Sequence, residues 1–290
     1  MTIADDKVRF EKMQGAGLNL NVARAGSGKP VVLLHGFPEF WYSWHKQIGP
    51  LAQNGFDVFA PDLRGYNLSD RPEGIENYHL KLLVEDVACI VRACGSKQAH
   101  IVAHDWGGVI AWAFAGKYPE LVDRFVVMNA PHGKLYRREI RRPPQMFLSW
   151  YIFFFQLPWL PEWYMSSNNY AVMREIFTET PANKDAFPKE EIDKYVEAIS
   201  RPGALNAGIN YYRAMLQCKD GRTLGMNSHV SAETLVIWGE QDHALCSRLL
   251  DGIEDVAPRA RVHRIPNAAH WVQNEAADEV NRVLLDFLLA

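Results

Sequence analysis

The chain alternates between short apolar runs that end in turns and longer segments whose apolar residues recur every three or four positions. Val8–Met13 and Leu18–Ala23 alternate apolar and polar positions around Gln14-Gly15-Ala16-Gly17, which predicts a β-hairpin. Gly26-Ser27-Gly28-Lys29-Pro30 reads as a turn into the buried strand Val31–Leu34. Phe56–Ala60, Ala99–Ala103, Phe125–Met128, Leu235–Trp238 and Arg261–Ile265 predict further strands. Leu80, Leu83, Val84, Val87, Ile90 and Val91 share one helical face up to Gly95. A second helix follows from Val109 to near Tyr118-Pro119, and a third ends in Val283–Leu288. Strands alternating with helices imply an α/β fold, with a mostly parallel, doubly wound sheet covered on both faces.

That rhythm breaks between about Lys134 and Arg222, which predicts an inserted helical segment. The expected organisation is a core of residues 1–133 and 223–290 with a cap of residues 134–222. The insertion starts with Arg137, Arg138, Arg141, Arg142 and Pro143-Pro144, then runs apolar from Met146 to Trp159. This run is shorter than the roughly 18 residues of a membrane-crossing helix, and Gln156 and Pro158 interrupt it. It reads as the aromatic lining of a lid or as a membrane-surface patch assisted by the arginines. Its place beside the carboxyl edge of the sheet favours the lid.

Composition adds little against this picture. A chain of 290 residues with 48% hydrophobic and 22% charged residues is ordinary for a globular domain with a sizeable core. The net charge of −3 gives no footing for nucleic acid. Cys89, Cys94, Cys218 and Cys246 lack metal-ligand spacing, so reduced thiols are expected. The charged start Met1–Lys7 has no secretory apolar core, and a cytoplasmic enzyme is the expectation.

The chemistry gathers at Ala103-His104-Asp105-Trp106-Gly107-Gly108, between a strand and a helix. Strand, tight turn and helix with small flanking residues is the layout of a nucleophile elbow, here carrying Asp105 in place of serine. A carboxylate is ionised at neutral pH, the more so beside a helix N-terminus. It can displace a leaving group from saturated carbon and form an ester that water then hydrolyses. Taken alone, Asp105 could equally be a helix N-cap. Two partners tilt the reading toward catalysis. His270, in the loop after the last strand, is the expected general base, and Asp242, in Trp238-Gly239-Glu240-Gln241-Asp242, is the acid that orients it, with Glu240 as fallback. The expected oxyanion donors are the backbone N–H groups of Phe37 and Trp106. His35 is read as a turn residue beside the site rather than as a second base.

His35-Gly36-Phe37-Pro38, His104-Asp105-Trp106-Gly107-Gly108, Trp238–Asp242 and Ala269-His270-Trp271 closely resemble, in that order, the motifs of α/β-hydrolase-fold epoxide hydrolases. The resemblance covers nearly the whole chain, including Gly208-Ile209-Asn210-Tyr211-Tyr212-Arg213. It implies ring opening of an epoxide to a vicinal diol, with no cofactor or metal. It also implies two cap tyrosines that hydrogen-bond the epoxide oxygen. Tyr212 resembles one of them, while Tyr211 is read as packing within the helix. The other is expected where Phe154 stands, ahead of Gln156-Leu157-Pro158, which leaves a single-tyrosine enzyme, a substitute at Tyr151 or Tyr164, or a different substrate. The expected substrate lining is His35, Pro38, Tyr151, Phe154 and Trp271, and the expected partner is a small hydrophobic epoxide, with no nucleic acid and no membrane contact; a homodimer is left open. Haloalkane dehalogenases share the fold and the Asp-Trp elbow and form the rival reading. Fluoroacetate dehalogenases differ at Trp106, where they carry Arg. A low-turnover binding protein of the same fold is a third reading.

Overall fold

The computed structural model describes residues 8–218 and 229–290. The expectation drawn from Met1–Lys7 and the cap boundary at residue 222 lie outside the described residues. Eight strands form one sheet in the order β1-β2-β4-β3-β5-β6-β7-β8: β1 (Arg9–Gln14), β2 (Asn19–Gly26), β3 (Lys29–Leu34), β4 (Phe56–Pro61), β5 (Ala99–His104), β6 (Val122–Met128), β7 (Glu233–Gly239) and β8 (Ala260–Ile265). The β1–β2 hairpin and the β2–β4 pair are antiparallel; all other pairs are parallel. The mostly parallel, doubly wound sheet expected from the strand–helix alternation is therefore present, as the resemblance to α/β-hydrolases also implied.

In the core, α1 (His45–Gln53), α2 (Leu80–Ala93), α3 (Asp105–Lys117), and, late in the chain, short α10 (Val272–Glu275) and α11 (Ala277–Leu289) cover the sheet. Two apolar clusters sit on its opposite faces, one with Val32, Ile101 and Val127, the other with Val31, Val102 and Val126. Alternate residues of one strand point to opposite faces, so a strand covered on both sides is buried throughout and mostly apolar. All six residues of β5 are buried for this reason. Helix α3 buries nine of its thirteen residues, including Trp112 and Phe114, because α2 lies on its outer side. Its unbroken apolar run is thus a buried helix behind the elbow.

Between β6 and β7 lie α4 (Gly133–Glu139), α5 (Gln145–Leu148), α6 (Trp150–Phe154), α7 (Leu160–Glu179), α8 (Lys189–Ser200) and α9 (Ala204–Gln217), which make the cap. Helix α7 is broken at 167–170, where Asn168, Asn169 and Tyr170 take positive φ. Two side chains clamp cap to core and to itself. Gln145 donates to the Ala244 carbonyl at 2.8 Å and accepts from Cys246 N–H at 2.9 Å, in the loop after β7. Arg213 donates to the carbonyls of Phe155 and Leu157 at 3.0 and 2.7 Å and pairs with Glu162, tying α9 to the α6–α7 turn. Among the described residues no helix is long and apolar enough to cross a membrane.

Candidate active site

The parallel strands all point their carboxyl ends to one edge, and the loops leaving β3, β5, β6, β7 and β8 meet there. Asp105 opens α3 with φ of +48°, the left-handed turn of an elbow. Gly36 permits this close approach, because a Cβ there would lie 2.3 Å from Asp105 Oδ1. Phe37 N–H donates to the same Oδ1 at 2.7 Å, in a turn where Phe37-Pro38 is a cis peptide and Pro38 is buried. Trp106 lies in the first turn of α3, whose N–H groups lack intrahelical acceptors. Oδ1 thus faces the expected oxyanion site, and Oδ2 is left toward the cap and His270.

His270 Nδ1–H donates to Asp242 Oδ2 at 2.8 Å, and its Nε2 lies 3.6 Å from Asp105 Oδ2. Asp242 is held from behind: Oδ1 accepts from Ala244 and Leu245 N–H at 2.7 and 3.0 Å, and Oδ2 accepts from Asn129 Nδ2 at 2.7 Å. The fallback acid Glu240 points elsewhere, paired with Arg264 at 2.6 Å. Burial alone would weaken a carboxylate, yet both carboxyl pKa values fall below the ordinary range. Burial is the largest single effect in each, but His270 together with His104 and Phe37 N–H at Asp105, and with Asn129 and Ala244 N–H at Asp242, outweighs it. Burial works against the imidazolium too, but Asp242 and Asp105 together raise the His270 pKa well above its usual value. The resting site is therefore an imidazolium between two carboxylates.

Behind it lies a second buried pair that the sequence did not reveal. His104 donates from Nε2 to the His270 carbonyl at 2.9 Å, and its Nδ1 meets Glu39 Oε2 at 2.8 Å. Glu39 also accepts from Gly36 N–H and Ser43 Oγ–H. Burial raises its pKa, but the charge of His104 and these donors hold the carboxyl below its ordinary value. One carboxylate thus braces both the His270 loop and the Phe37 turn. The signal available in sequence was a charged residue, Glu39, directly after an apolar turn. Asn129 was likewise missed; it has φ of +38° at the end of β6, accepts from Gly239 N–H and reaches Asp242.

From the cap, Tyr212 on α9 meets the Trp106 ring edge-on at 5.0 Å and the Phe37 ring at 5.6 Å, against both residues expected to supply the oxyanion donors. Gly208, one turn earlier, allows this approach, since a Cβ there would touch Phe37 at 3.0 Å. Tyr151 on α6 meets Tyr212 at 5.8 Å. Burial, reinforced by the Asp105 charge, raises both phenol pKa values well above the ordinary one, with Tyr136 adding to Tyr151. Both therefore remain proton donors. Tyr211 instead packs beneath the cap and donates to the Arg64 carbonyl at 2.7 Å.

Two expectations for the lining need correction. His35 does not face substrate: it is fully buried, donates from Nδ1 to the Gly36 carbonyl and accepts Leu63 N–H at Nε2. Burial pushes its pKa down to about 4, so it stays neutral and fastens the β3 and β4 turns together. Phe154 turns away from the site and contacts Trp150, Phe155 and Tyr164; its neighbour Phe155 packs on Tyr212 and Phe37. The position counted back from Gln156 was one side of the helix off. Tyr151, one turn earlier, faces inward, whereas Tyr164 is 44% exposed on the outside. Trp271 wedges between His270 and the cap residues Phe177 and Phe187. A cleft of about 720 Å³ beside Trp159 and Arg213 contains none of the triad.

The profile described as alpha/beta hydrolase fold matches residues 29–277. A Bacillus subtilis protein, AB hydrolase superfamily protein YfhM, is 37% identical over 98% of this chain and 99% of its own. Human epoxide hydrolase 4 is 36% identical over 96% of this chain and 78% of its own. The chain belongs to the α/β-hydrolase-fold epoxide hydrolase family. A crystal structure of an epoxide hydrolase from Bacillus megaterium in complex with an inhibitor superposes with a TM-score of 0.89, at 33% identity over 97% of this chain and all of that one. A mutant of that enzyme, 32% identical to this chain over 97% of it and all of that one, was solved with its product (R)-3-[1]naphthyloxy-propane-1,2-diol and superposes with the same TM-score of 0.89.

Proposed function

We propose that this family member opens an epoxide to a vicinal diol through an ester on Asp105. The observation that carries the reading is that the Tyr212 and Tyr151 rings meet edge-on at 5.8 Å, both phenols within reach of the charge of Asp105, a carboxylate whose Oδ1 is already held by Phe37 N–H. Asp105 Oδ2 attacks an epoxide carbon and the C–O bond breaks. The departing alkoxide takes a proton from a phenol, a general-acid step. An alkoxide needs that proton because its conjugate acid is about as weak as water; a halide does not, so the paired phenols favour epoxide over haloalkane.

Esterification removes one of the two negative charges that hold a proton on His270. With that charge gone the imidazolium gives up its proton, which replaces the one the phenol lost to the alkoxide. The imidazole thus becomes a base only once the ester exists, and is protonated again when it takes a proton from water. It then activates water against the ester carbonyl while Asp242 steadies it, and the Phe37 and Trp106 N–H groups receive the oxyanion. The aromatic walls of Phe37, Phe155, Trp106 and Tyr212 suit an epoxide bearing an aryl group. The reading extends to a cytoplasmic enzyme.

In a single turnover in heavy-oxygen water, label should enter the Asp105 carboxylate, because water attacks the ester carbonyl. Label confined to the diol would mean direct attack of water on the epoxide and would remove Asp105 as nucleophile.

A further inference from the structure

The aromatic run of the cap has two faces. Tyr151, Ile152 and Phe155 point inward, while their neighbours point out. Among the described residues, eight of the twelve exposed large hydrophobic side chains fall between residues 146 and 164. The other four, such as Phe10 and Leu289, are scattered along the chain. Phe147, Trp150 and Phe153 follow one another at three-residue spacing along α5–α6, so they share a face. Phe154 touches both Trp150 and Tyr164, which joins that face to the start of α7, where Trp159 and Trp163 lie one turn apart. Apart from the half-buried Phe154, these side chains are 44–71% exposed. Contiguous exposed aromatics of this kind mark an interaction surface.

Charge selects the partner. Residues 134–164 contain five Lys or Arg against two Asp or Glu, in a chain whose net charge is −3. Both acids are held by arginines, Glu139 by Arg138 and Arg142, and Glu162 by Arg213. Arg141 is exposed immediately before α5. A second copy docked through the same patch would bring like charges together, which a two-fold contact disfavours. Helices α5 and α6 have only four and five residues, too short to cross a membrane but able to lie in its interface. Tryptophan and tyrosine favour that level, with indole and phenol toward the headgroups.

We propose that the outer face of α5–α7 docks this protein on an anionic lipid bilayer. Docking itself rests on the surface alone. Its benefit rests on the function proposed above: Tyr151 lies across α6 from Trp150 and Phe153, so a lipophilic epoxide would leave the bilayer within about 10 Å of the phenol, one helix diameter.

The test is sedimentation with vesicles of phosphatidylglycerol mixed with phosphatidylcholine, against vesicles of phosphatidylcholine alone. The wild type should bind the anionic vesicles, lose binding in high salt, and show tryptophan quenching by brominated lipid. Trp150→Ser combined with Phe153→Ser should weaken partition at least about tenfold, and Arg141→Glu roughly tenfold. Both variants should turn over a water-soluble epoxide as the wild type does and melt at the same temperature, since only exposed groups change. Absence of wild-type binding to the anionic vesicles, or binding unaltered in the variants, overturns the proposal. So does a wild-type dimer at micromolar concentration that the Trp150→Ser, Phe153→Ser variant dissolves, because the patch would then be a contact between copies. Vesicle binding is read without turnover, so its failure leaves the epoxide reading standing, and loss of epoxide turnover leaves docking standing.

Discussion

The core half of the site and the cap half are built by different forces. At the strand ends, the candidate catalytic carboxylates are wired to backbone or to other buried polar groups: Asp242 has four partners, and Asp105 is fixed by Phe37 N–H and His270. In the cap, Tyr212 and Tyr151 are located by ring contacts with Phe155, Phe37, Trp106 and each other. Hydrogen bonds are directional and expensive to leave unmade when buried, so the core tolerates few alternatives. Apolar packing tolerates volume-conserving exchange, so a cap can change its substrate while the core keeps its chemistry.

The largest expected effect comes from breaking the wired half. His270→Gln should leave ester formation intact and slow its hydrolysis by about 10²–10⁴-fold, as for loss of a general base. Intact mass should then show an Asp105 adduct accumulating with a good epoxide. No adduct would end the division of labour between Asp105 and His270.

Removing one phenol breaks the packed half. Tyr212→Phe and Tyr151→Phe should each slow alkylation by roughly 10²-fold with no change in circular dichroism, since only a hydroxyl is lost. The double variant should lose far more than either single one, because each phenol covers in part for the other. Stopped-flow traces of the first turnover read this directly. Unchanged alkylation in Tyr151→Phe would return the enzyme to a single-tyrosine mechanism.

A pH series sharpens the electrostatic side. The folded pKa of His270 lies above its ordinary value of about 6.5. Its contribution to stability is therefore full below about pH 6.5 and is lost as pH rises through the folded pKa. Asp105 and Asp242 are depressed and behave oppositely: their contribution is present above about pH 3.9 and is lost on acidification through their folded values. Asp105→Asn should lower the His270 pKa, measured by imidazole NMR, and flatten the alkaline fall of the melting temperature. An unmoved imidazole titration would show that Asp105 does not hold the proton.

The smallest effect is expected at Phe154, which faces away from the catalytic groups. Phe154→Ala should alter first-turnover alkylation by no more than about threefold. A larger loss would restore it to the substrate lining.

The contrast also explains what was legible in the chain. Strand periodicity, the elbow and the order Asp105, Asp242, His270 were readable because a doubly covered sheet demands continuous apolar runs and puts its chemistry in the following loops. Asp242 could be preferred to Glu240 because two more residues let the loop turn back. The inner tyrosine was readable only as one of two substitutes, Tyr151 or Tyr164. Six apolar or aromatic residues in a row, Trp150–Phe155, carry no helical phase, so Tyr151 and Phe154 could not be assigned to faces until α6 was docked on α9.

By itself, then, the sequence determined the fold and marked the candidate nucleophile and histidine, since these follow from local hydrophobic period and from residues adjacent to strand ends. Tertiary structure decided that Tyr151 stands beside Tyr212, that His35 is a neutral fastener, and that Glu39, His104 and Asn129 support the triad. Each of those depends on which residues distant in the chain are brought within 3 Å or within ring contact. That proximity is set by the packing of the whole sheet and cap, which no single stretch of the chain encodes.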